Sequence, residues 1–398
     1  MTRRAPVADW ASDFDHLDPA FVENPYPIWD ELRRKCPIAH TERFSGVYIP
    51  VRYEDVRTVA YDPEHFSSRR IIVREGNFPP PRTPPITSDP PAHRAERKIL
   101  LPAFTPDAVS KLEPRTRALC LELLGRLGND NECDGAIDYA QEIPTRLTAH
   151  MLGISEHAGE QFRKWIYEFF ELGAADAAIA QRVIAEMMTF FDREIAKRRA
   201  SPGDDLISYL LEARIDGQPI DQVDINGTLR LLLFAGIDTT WSAIGACLWH
   251  LATHAADRKR LVEDPELIPT AVEEFLRAYS PVTMAREIVK DTEIDGCPVK
   301  QGEMVMLAFG AANRDPALFP DADRVIVDRE VNRHAAFGLG IHRCIGSTLA
   351  RMEMRVALEE WLGKFPDFEL TPGALVKWSA GTVRGPRQLP ITLGPRRQ

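Results

Sequence analysis

The segment FGLGIHRCIG, residues 337–346, places a single cysteine, Cys344, in a glycine-rich loop just before a helical pattern. Three glycines in ten residues let the backbone turn tightly or approach a flat group closely. A bound metal, cationic neighbours and the first N–H groups of a following helix all favour the thiolate form of a cysteine. Structural zinc requires four ligands, whereas a thiolate-ligated heme iron requires one protein sulfur. The segment therefore favours a heme thiolate, with a buried structural cysteine as the alternative.

The spacing F-G-x-G-x-H-x-C-x-G resembles the heme-binding signature of the cytochromes P450. The resemblance implies a mainly α fold with small β-sheets, the triangular P450 fold, with heme b between a long oxygen-side helix and the cysteine-loop helix. It implies that Cys344 is the axial ligand of the iron and that Phe337 packs beside the sulfur. Gly338, His342 and Gly346 complete the cofactor-binding loop by the same resemblance. A catalytic pair of Cys344 and His342 is disfavoured, because residues two apart in a turn rarely face each other.

The 398-residue chain is longer than a usual single-core domain, but no linker divides it. We therefore expect one domain over residues 1–398, with a β-rich subregion at about 1–68 and a helical heme-binding core at about 89–398. The contents of 44% hydrophobic and 27% charged residues are ordinary for a globular protein. The six cysteines are scattered without a C-x-x-C motif, which argues against disulfides.

The charge and hydropathy of the chain exclude several partners. A net charge of −10 disfavours nucleic acid, because phosphate binding requires a basic surface. No apolar run follows the first residues, and no segment offers about 20 uninterrupted apolar residues. We therefore expect a cytoplasmic protein without a membrane or nucleic-acid partner, and we expect a monomer.

The first third of the chain predicts a short mixed region followed by a loop. Periodicity and turn residues predict a helix within 19–35, strands at 38–44 and 47–51, and a helix at 53–61. Seven prolines between residues 69 and 91 exclude a persistent regular element there. By resemblance this loop covers the substrate pocket; a plain surface loop is the alternative. The candidate substrate contacts in it are Ile71, Ile72, Val73 and Phe78, and Arg69, Arg70 and Arg74 are candidates to anchor a substrate carboxylate.

His93 and Arg97 lie four residues apart at the start of the next predicted helix, and therefore on one face. A solvated basic helix face is the alternative interpretation. The pattern D-P-P-x-H-x-x-x-R, however, resembles the family segment in which this pair bonds a heme propionate. The resemblance gives the same role to Arg286 and His342. The physical reason is that burying the two unpaired carboxylates of heme would cost several kcal/mol.

Four further helices are predicted at 106–128, 138–152, 160–172 and 176–199 from repeated apolar positions. The third contains an aromatic stripe that includes Phe169 and Phe170. Such a stripe usually belongs to a core. In the family the corresponding helices form a mobile lid, so Phe169 is also a candidate substrate contact.

Residues 223–254 predict a single helix close to 50 Å long, at about 1.5 Å per residue. Its middle reads AGIDTT, residues 235–240, where a glycine costs about 1 kcal/mol against alanine. The segment resembles the family motif that opens the helix to make room for dioxygen. The resemblance makes Asp238 and Thr239 a proton-delivery pair, with Thr240 as a lesser candidate; a polar patch at a helix crossing is the alternative. Ala235 and Gly236 then face the cofactor, and Leu232 is a candidate substrate contact.

Glu274 and Arg277, three apart in a predicted helix at 269–279, resemble the structural ion pair of the family, which Arg329 completes. Position 326 is an isoleucine where the family often has an aspartate, and Asp328 stands nearby, so a rearranged charge network is expected. Predicted strands at 367–370 and 389–393 close the fold. Further candidate contacts to the substrate are Val282, Thr283, Thr382 and Val383.

These motifs together predict a heme-thiolate monooxygenase that uses O2 to hydroxylate or epoxidise an apolar small organic molecule. Electrons would come from NAD(P)H through a ferredoxin reductase and a separate ferredoxin. The ferredoxin would dock on the cysteine side, steered by Arg94, Lys98, Arg343, Arg351 and Arg355. The alternatives are a peroxide-driven hydroxylase, a heme-thiolate sensor and a non-heme structural protein. Family members with the same motifs oxidise terpenes, steroids, fatty acids, aromatics and polyketides, so the motifs select no substrate.

Overall fold

The computed structural model describes residues 5–74, 81–127, 131–174 and 176–395. Helices dominate these ranges. In chain order the α-helices are α1 (Pro19–Glu23), α2 (Tyr26–Lys35), α3 (Tyr53–Tyr61), α4 (Ala92–Leu100), α5 (Pro106–Ser110), α6 (Glu113–Arg126), α7 (Glu142–Met151), α8 (Gly159–Tyr167), α9 (Ala177–Ala200), α10 (Leu206–Glu212), α11 (Gln222–Thr253), α12 (Ala255–Glu263), α13 (Ile268–Tyr279), α14 (Phe309–Ala312) and α15 (Ser347–Lys364).

The strands are short and form small sheets. In chain order they are β1 (Ile38–Thr41), β2 (Val47–Pro50), β3 (Phe66–Ser67), β4 (Glu132–Asp134), β5 (Arg214–Ile215), β6 (Gln218–Pro219), β7 (Met284–Ile288), β8 (Thr292–Ile294), β9 (Cys297–Val299), β10 (Met304–Leu307), β11 (Phe368–Leu370), β12 (Lys377–Trp378), β13 (Pro386–Gln388) and β14 (Pro390–Leu393). The largest sheet has the order β1-β2-β10-β7-β3, in which β10 runs parallel to β2 and the other pairs are antiparallel. A second sheet has the order β11-β14-β4, and the pairs β5-β6, β8-β9 and β12-β13 stand alone. The predicted class, mainly α with small β-sheets, is confirmed.

The predicted strand at 38–44 is three residues too long. Strand β1 ends at Thr41, and a 3-10 turn follows before β2 begins. Phe44 and Ser45 have positive φ angles of 59° and 69°, which a strand does not allow. Gly46 completes the turn, because a Cβ there would lie 2.4 Å from Glu303 Oε1.

Prolines divide two of the predicted helices. The segment predicted as one helix at 106–128 is α5 followed by α6, because Pro114 in the first turn of α6 cannot continue a preceding helix. The segment predicted at 138–152 is a π-helical stretch, Gly135–Ala140, followed by α7. Pro144 again stands in the first turn of the second piece. Each ring would clash with the carbonyl four residues earlier, which fixes the position of the break.

Helix α11 is the centre of the fold and matches its predicted bounds of 223–254 to within one residue. Its 32 residues span about 48 Å, and it packs against α7, α13 and α15. Among the described residues it is the one helix long and apolar enough to cross a bilayer. Since 67% of its most apolar window is buried inside the protein, its apolar composition is that of a core helix.

The ion pair of α13 is fully buried, since both Glu274 and Arg277 have 0% exposed side chains. The guanidinium binds the carboxylate with two hydrogen bonds of 2.8 Å, from Nε to Oε2 and from Nη2 to Oε1. Arg329 Nε adds a third contact at 3.0 Å, and Asn332 Nδ2 a fourth at 3.0 Å. Three of these four contacts are made to Oε2 and one to Oε1, and such additional hydrogen bonds are what a buried ion pair requires.

Position 326, where the sequence departs from the family pattern, contacts this network through its backbone. The backbone N–H of Ile326 donates to Glu274 Oε1 at 2.8 Å. Asp328 takes no part in the buried network and pairs instead with Arg260 at 2.7 Å, where both side chains are about half exposed. The backbone therefore contacts Glu274 at the position where the family often has an aspartate.

Candidate active site

The cysteine loop is held in shape by two glycines with positive φ, Gly338 at 71° and Gly340 at 68°. A Cβ on Gly340 would lie 2.1 Å from the carbonyl oxygen of Ala60, so a side chain there would push the loop away from α3. The backbone N–H of Cys344 donates to the carbonyl of Phe337 at 2.7 Å and closes the turn. The loop therefore presents the thiol directly before α15 begins at Ser347.

The Cys344 side chain is exposed to an internal cavity with an empty volume of about 1610 Å³, which lies between α15 and α11. Phe337, Gly338, Gly346 and Leu349 line the cavity on the cysteine side. Burial raises the pKa of the Cys344 thiol. A hydrogen bond from the Gly346 N–H lowers that pKa, and nearby arginines lower it to a smaller extent. Those arginines are Arg97, Arg343 and Arg351. An iron atom would supply the further positive charge that a thiolate requires here.

The residues predicted on the oxygen side line the opposite wall of the same cavity. Ala235, Gly236, Thr239 and Thr240 all border it from α11. The Thr239 hydroxyl donates to the carbonyl of Ala235, one turn earlier in the helix, at 2.6 Å. A Cβ on Gly236 would lie 3.1 Å from Thr148 Oγ1, so glycine permits the close approach of α7. The sequence thus places a hydroxyl and a narrow backbone opposite Cys344.

Asp238 lies behind Thr239 and is fully buried. Arg387 Nη2 stands 2.8 Å from its Oδ1 atom, yet neither carboxylate oxygen accepts a well-aligned hydrogen bond from the described residues. Burial raises the pKa of Asp238 to about 6, Arg387 opposes that rise and Glu171 adds to it. Arg387 also donates from Nε to Glu171 Oε1 at 2.9 Å. Arg387 of β13 is therefore shared between Asp238 and Glu171, which follows α8 in the chain.

Four basic side chains meet beside the cavity: His93, Arg97, Arg286 and His342. The two imidazole rings lie 4.3 Å apart between centroids, and both Nε2 atoms are buried without a hydrogen-bond partner among the described residues. Arg286 donates only to the carbonyl of its neighbour, Ala285, at 2.7 Å. Burial lowers the pKa of Arg286 to about 10, and burial together with Arg286 lowers that of His342 to about 2. Such a cluster fits an anionic group, and the two propionates of a heme would provide one.

A second cavity, with an empty volume of about 1080 Å³, continues from the first. The two share Ala235 and Thr239 in their lining, so they form one crevice from Cys344 to the proline-rich loop. The ring of Phe169 stacks on that of Phe234 with centroids 4.6 Å apart. Six predicted substrate candidates line this second cavity: Ile71, Ile72, Phe169, Val282, Thr382 and Val383.

Other predicted contacts lie elsewhere. Val73 is buried in the N-terminal core with Phe14 and Trp29, on the other side of the loop from Ile72. Thr283 lines a separate small cavity, because adjacent side chains in extended backbone point to opposite sides and Val282 faces the crevice. Leu232 lines the cysteine-side cavity rather than the loop-side one. Phe78 lies outside the described residues.

The structure also brings in side chains that the motifs did not indicate. Glu353 of α15 lines the cysteine-side cavity, and burial raises its pKa to about 8, so its carboxyl is largely neutral at pH 7. Arg230 of α11 lines the loop-side cavity although it is only 3% exposed. Each of the two could have been recognised in the sequence as a charged residue on an otherwise apolar face of a predicted helix.

The cavity between α11 and α15 has the donor set of a heme-thiolate protein. Cys344 is the one thiol in the described part of the lining, and the described residues contain no cluster of three or more side chains that could hold a metal ion. The basic cluster beside it forms no ion pair with a carboxylate among those residues. Thr239 lines the far wall, and the buried carboxylate of Asp238 lies behind it.

Comparison with known proteins identifies the family. The cytochrome P450 family model matches residues 160–377. The chain is 35% identical to vitamin D(3) 25-hydroxylase of Pseudonocardia autotrophica over 96% of this chain and 97% of that protein. It is 33% identical to mycinamicin IV hydroxylase/epoxidase of Micromonospora griseorubida over 91% and 94%. A solved mutant of P450 EryK in complex with erythromycin B superposes with a TM-score of 0.86 at 34% identity, covering 95% and 97%. The chain therefore belongs to the cytochrome P450 family, and its cofactor is heme b.

Proposed function

We propose that this cytochrome P450 monooxygenase takes two electrons, one at a time, from a separate ferredoxin and hydroxylates or epoxidises an apolar small organic molecule. In this reaction one atom of O2 enters a C–H bond or a double bond. The other atom takes up two electrons and two protons and leaves as water. The observation that carries the proposal is the continuous crevice, apolar for most of its lining, that joins the thiol of Cys344 to the hydroxyl of Thr239 and the loop-side cavity.

When bound, the heme supplies the oxidation chemistry itself, and the protein supplies its ligand, its orientation and the surrounding charges. Cys344 would hold the iron. Arg97 and Arg286 would neutralise the two propionates, and His93 and His342 would donate hydrogen bonds to them. The buried positions of His93 and Arg286 and the two unpartnered Nε2 atoms support this assignment. The glycines of the loop allow the flat ring to approach the backbone closely.

Thr239 and Asp238 would move the two protons. The Thr239 hydroxyl borders the cavity and can exchange its hydrogen bond to Ala235 for one to a bound oxygen group. Asp238 has a pKa of about 6, close to the operating pH, which is the condition for an efficient general acid. Arg387 holds the Asp238 carboxylate 2.8 Å away and would have to release it before a proton passes. Thr240, which also lines the cavity, is the lesser candidate.

The relatives support the reaction type. One is named as a hydroxylase of vitamin D(3), and the other as a hydroxylase/epoxidase of mycinamicin IV. The test is turnover in ¹⁸O2 of compounds first selected by their spin-state change, with ferredoxin, reductase and NAD(P)H present. We expect one labelled oxygen per product molecule. Product formed with hydrogen peroxide, but none with O2 and reductant, would contradict the proposal and favour a peroxide-driven hydroxylase.

The ferredoxin would dock on the cysteine side of the molecule. Arg94, Lys98 and Arg343 are exposed there, and none forms an ion pair within the described ranges. Two of the arginines that the sequence suggested for steering are already neutralised, Arg351 by Glu273 and Arg355 by a pair of glutamates. Three cations are therefore left to attract an acidic partner.

Salt dependence tests this docking model. The reduction rate by ferredoxin should fall as ionic strength rises, because the screening length shortens to about 8 Å at physiological salt. Arg343→Gln should lower the rate at low salt, and Arg260→Gln, which removes a cation already paired with Asp328, serves as the control. Reduction that is indifferent to salt would contradict the model.

We further propose that the protein acts in the cytoplasm as a monomer. Size-exclusion chromatography of the heme-loaded protein tests the oligomeric state.

A further inference from the structure

Arg230 is a buried cation without an anion. Its side chain lines the loop-side cavity, and the residue is only 3% exposed. Nη2 donates to the carbonyl of Arg82 at 3.1 Å and to Thr83 Oγ1 at 3.2 Å, and Nη1 reaches Asn226 Oδ1 at 3.4 Å. All three acceptors are neutral. Burial alone lowers the pKa of Arg230 to about 10, since no charged neighbour opposes it. A buried guanidinium in this state is costly unless something neutralises it.

Arg74 is a second cation on the same cavity. Its guanidinium lies 5.0 Å from the centroid of the Phe169 ring, and it makes neither a hydrogen bond nor an ion pair with the described residues. Burial alone lowers its pKa as well. Contact with an aromatic face compensates a cation only in part. Arg70 lines the cavity as well and forms no ion pair with the described residues. The cavity therefore carries three positive charges, of which Arg230 and Arg74 are the buried ones, that the described part of the chain leaves unneutralised.

Two acidic side chains in this part of the fold are already engaged by another arginine. Asp224 and Glu96 both form ion pairs with Arg82, the residue whose carbonyl accepts from Arg230. Arg69, one of three arginines suggested by the sequence as anchors, points away from the cavity lining and stands 3.8 Å from Glu287. Neither Arg230 nor Arg74 forms an ion pair with a carboxylate among the described residues, and burial is the one influence on the pKa of each.

We propose that the substrate of this enzyme carries an acidic oxygen group, a carboxylate or a phosphate monoester, which Arg230 and Arg74 bind while an apolar body extends over Thr239. The inference rests on the proposed monooxygenase function and names its substrate class. Apart from the arginines and a few threonines, the cavity is lined by apolar side chains, including Ile72, Phe234 and Val282, which suit such a body.

The helix fixes the distance between binding and oxidation. Arg230 stands nine residues before Thr239 on α11, which is roughly 13 Å along the axis at about 1.5 Å per residue. The oxidised carbon is therefore separated from the acidic group by on the order of 10 Å. Oxidation next to the acidic group does not fit this arrangement.

The experiment compares matched acidic and neutral probes on the heme-loaded enzyme. The acid and methyl ester of dodecanoic, biphenyl-4-carboxylic and 5β-cholanic acids provide three body shapes, and dodecyl phosphate with dodecanol tests the phosphate. Affinity is measured by isothermal calorimetry and by the spin-state change. Because a hydrogen-bonded charge contributes about 1.5–3 kcal/mol, at least one acidic probe should bind about tenfold or more tightly than its neutral partner. Equal affinities within all four pairs would overturn the inference.

Variants separate a binding role from a structural one. Arg230→Met and Arg74→Met should each remove most of the preference for the acidic probe, and Arg69→Met, an exposed arginine outside the cavity, should leave it unchanged. If Arg230 only anchored the carbonyl of Arg82, its loss would weaken acid and ester equally, and that result would refute the assignment. Should Arg230→Met fail to take up heme, Arg230→Lys and Arg74→Met decide the question.

The inference and the proposed function fail in different ways. Normal oxidation of a neutral probe, without any preference for acids, would refute the inference but not the proposed monooxygenase function. Tight binding of an acid without labelled product in ¹⁸O2 would leave the binding site in place and count against the reaction.

Discussion

Replacing Arg277 by methionine should destabilise the protein strongly, because the side chain is buried and has five polar contacts. Its guanidinium makes two bonds of 2.8 Å to Glu274 and three to the carbonyls of Asn313, Ala322 and Arg324. Removing one partner of a buried ion pair costs about 3–5 kcal/mol. Glu274 keeps its contact to Arg329, so we expect a loss of about 4 kcal/mol of unfolding free energy.

The corresponding thermal shift follows from the size of the chain. At about 2 cal/mol/K per residue, a 398-residue protein has an unfolding entropy of about 0.8 kcal/mol/K. A loss of about 4 kcal/mol then lowers the unfolding midpoint by about 5 °C. Circular dichroism and heme absorbance, recorded on the same heme-loaded sample, measure the midpoint.

Arg260→Met is the matched control, because this arginine also pairs with a carboxylate but on the surface, where Asp328 is about half exposed. Exposed pairs contribute little, so the control should keep the midpoint of the parent protein. If the two substitutions shifted the midpoint equally, burial would not be what makes the Glu274 network important, and the reasoning would be refuted.

Three further substitutions test the site. Thr239→Ala should keep NAD(P)H consumption but lower the product formed per NAD(P)H by about tenfold or more, as expected when a proton-transfer group is lost, whereas Thr253→Ala at the end of α11 should not. Arg387→Met removes the charge that opposes the high pKa of Asp238, so that pKa should rise above 6 and the pH profile of turnover should shift to higher pH; an unshifted profile would remove Asp238 from proton delivery. Arg286→Met should speed the transfer of heme to apomyoglobin, because one propionate loses its cation, and an unchanged transfer rate would contradict the assignment of the basic cluster.

Contiguous motifs made the core of the site predictable. The cysteine loop, the AGIDTT segment and helix α3 each depend on spacing within one short stretch, and α3 has the predicted bounds of 53–61. A helical period and a glycine at positive φ, such as Gly340, follow from local backbone geometry. The resemblance of these segments to cytochrome P450 motifs predicted which residues of α11 face the cysteine loop, and Ala235, Gly236 and Thr239 line the cavity there.

Contacts between distant parts of the chain could not be predicted in this way. Arg387 binds Glu171 across 216 positions, and its place depends on how β13 packs beside α11. Arg230 reaches the carbonyl of Arg82 across 148 positions, and nothing near either residue in sequence indicates that contact. The sequence also could not predict which of two adjacent residues, Val282 or Thr283, faces the crevice, because that depends on how the segment packs against the sheet.

The most direct test of this account is the carbon monoxide difference spectrum of the reduced Cys344→Ser protein beside that of the parent. Cys344 is the one thiol that lines the crevice within the described residues, so the parent should give the spectrum of a thiolate-ligated heme and the variant should lose it. A variant that still showed the unaltered thiolate-type spectrum would mean that another sulfur holds the iron, and the site described above would be wrong.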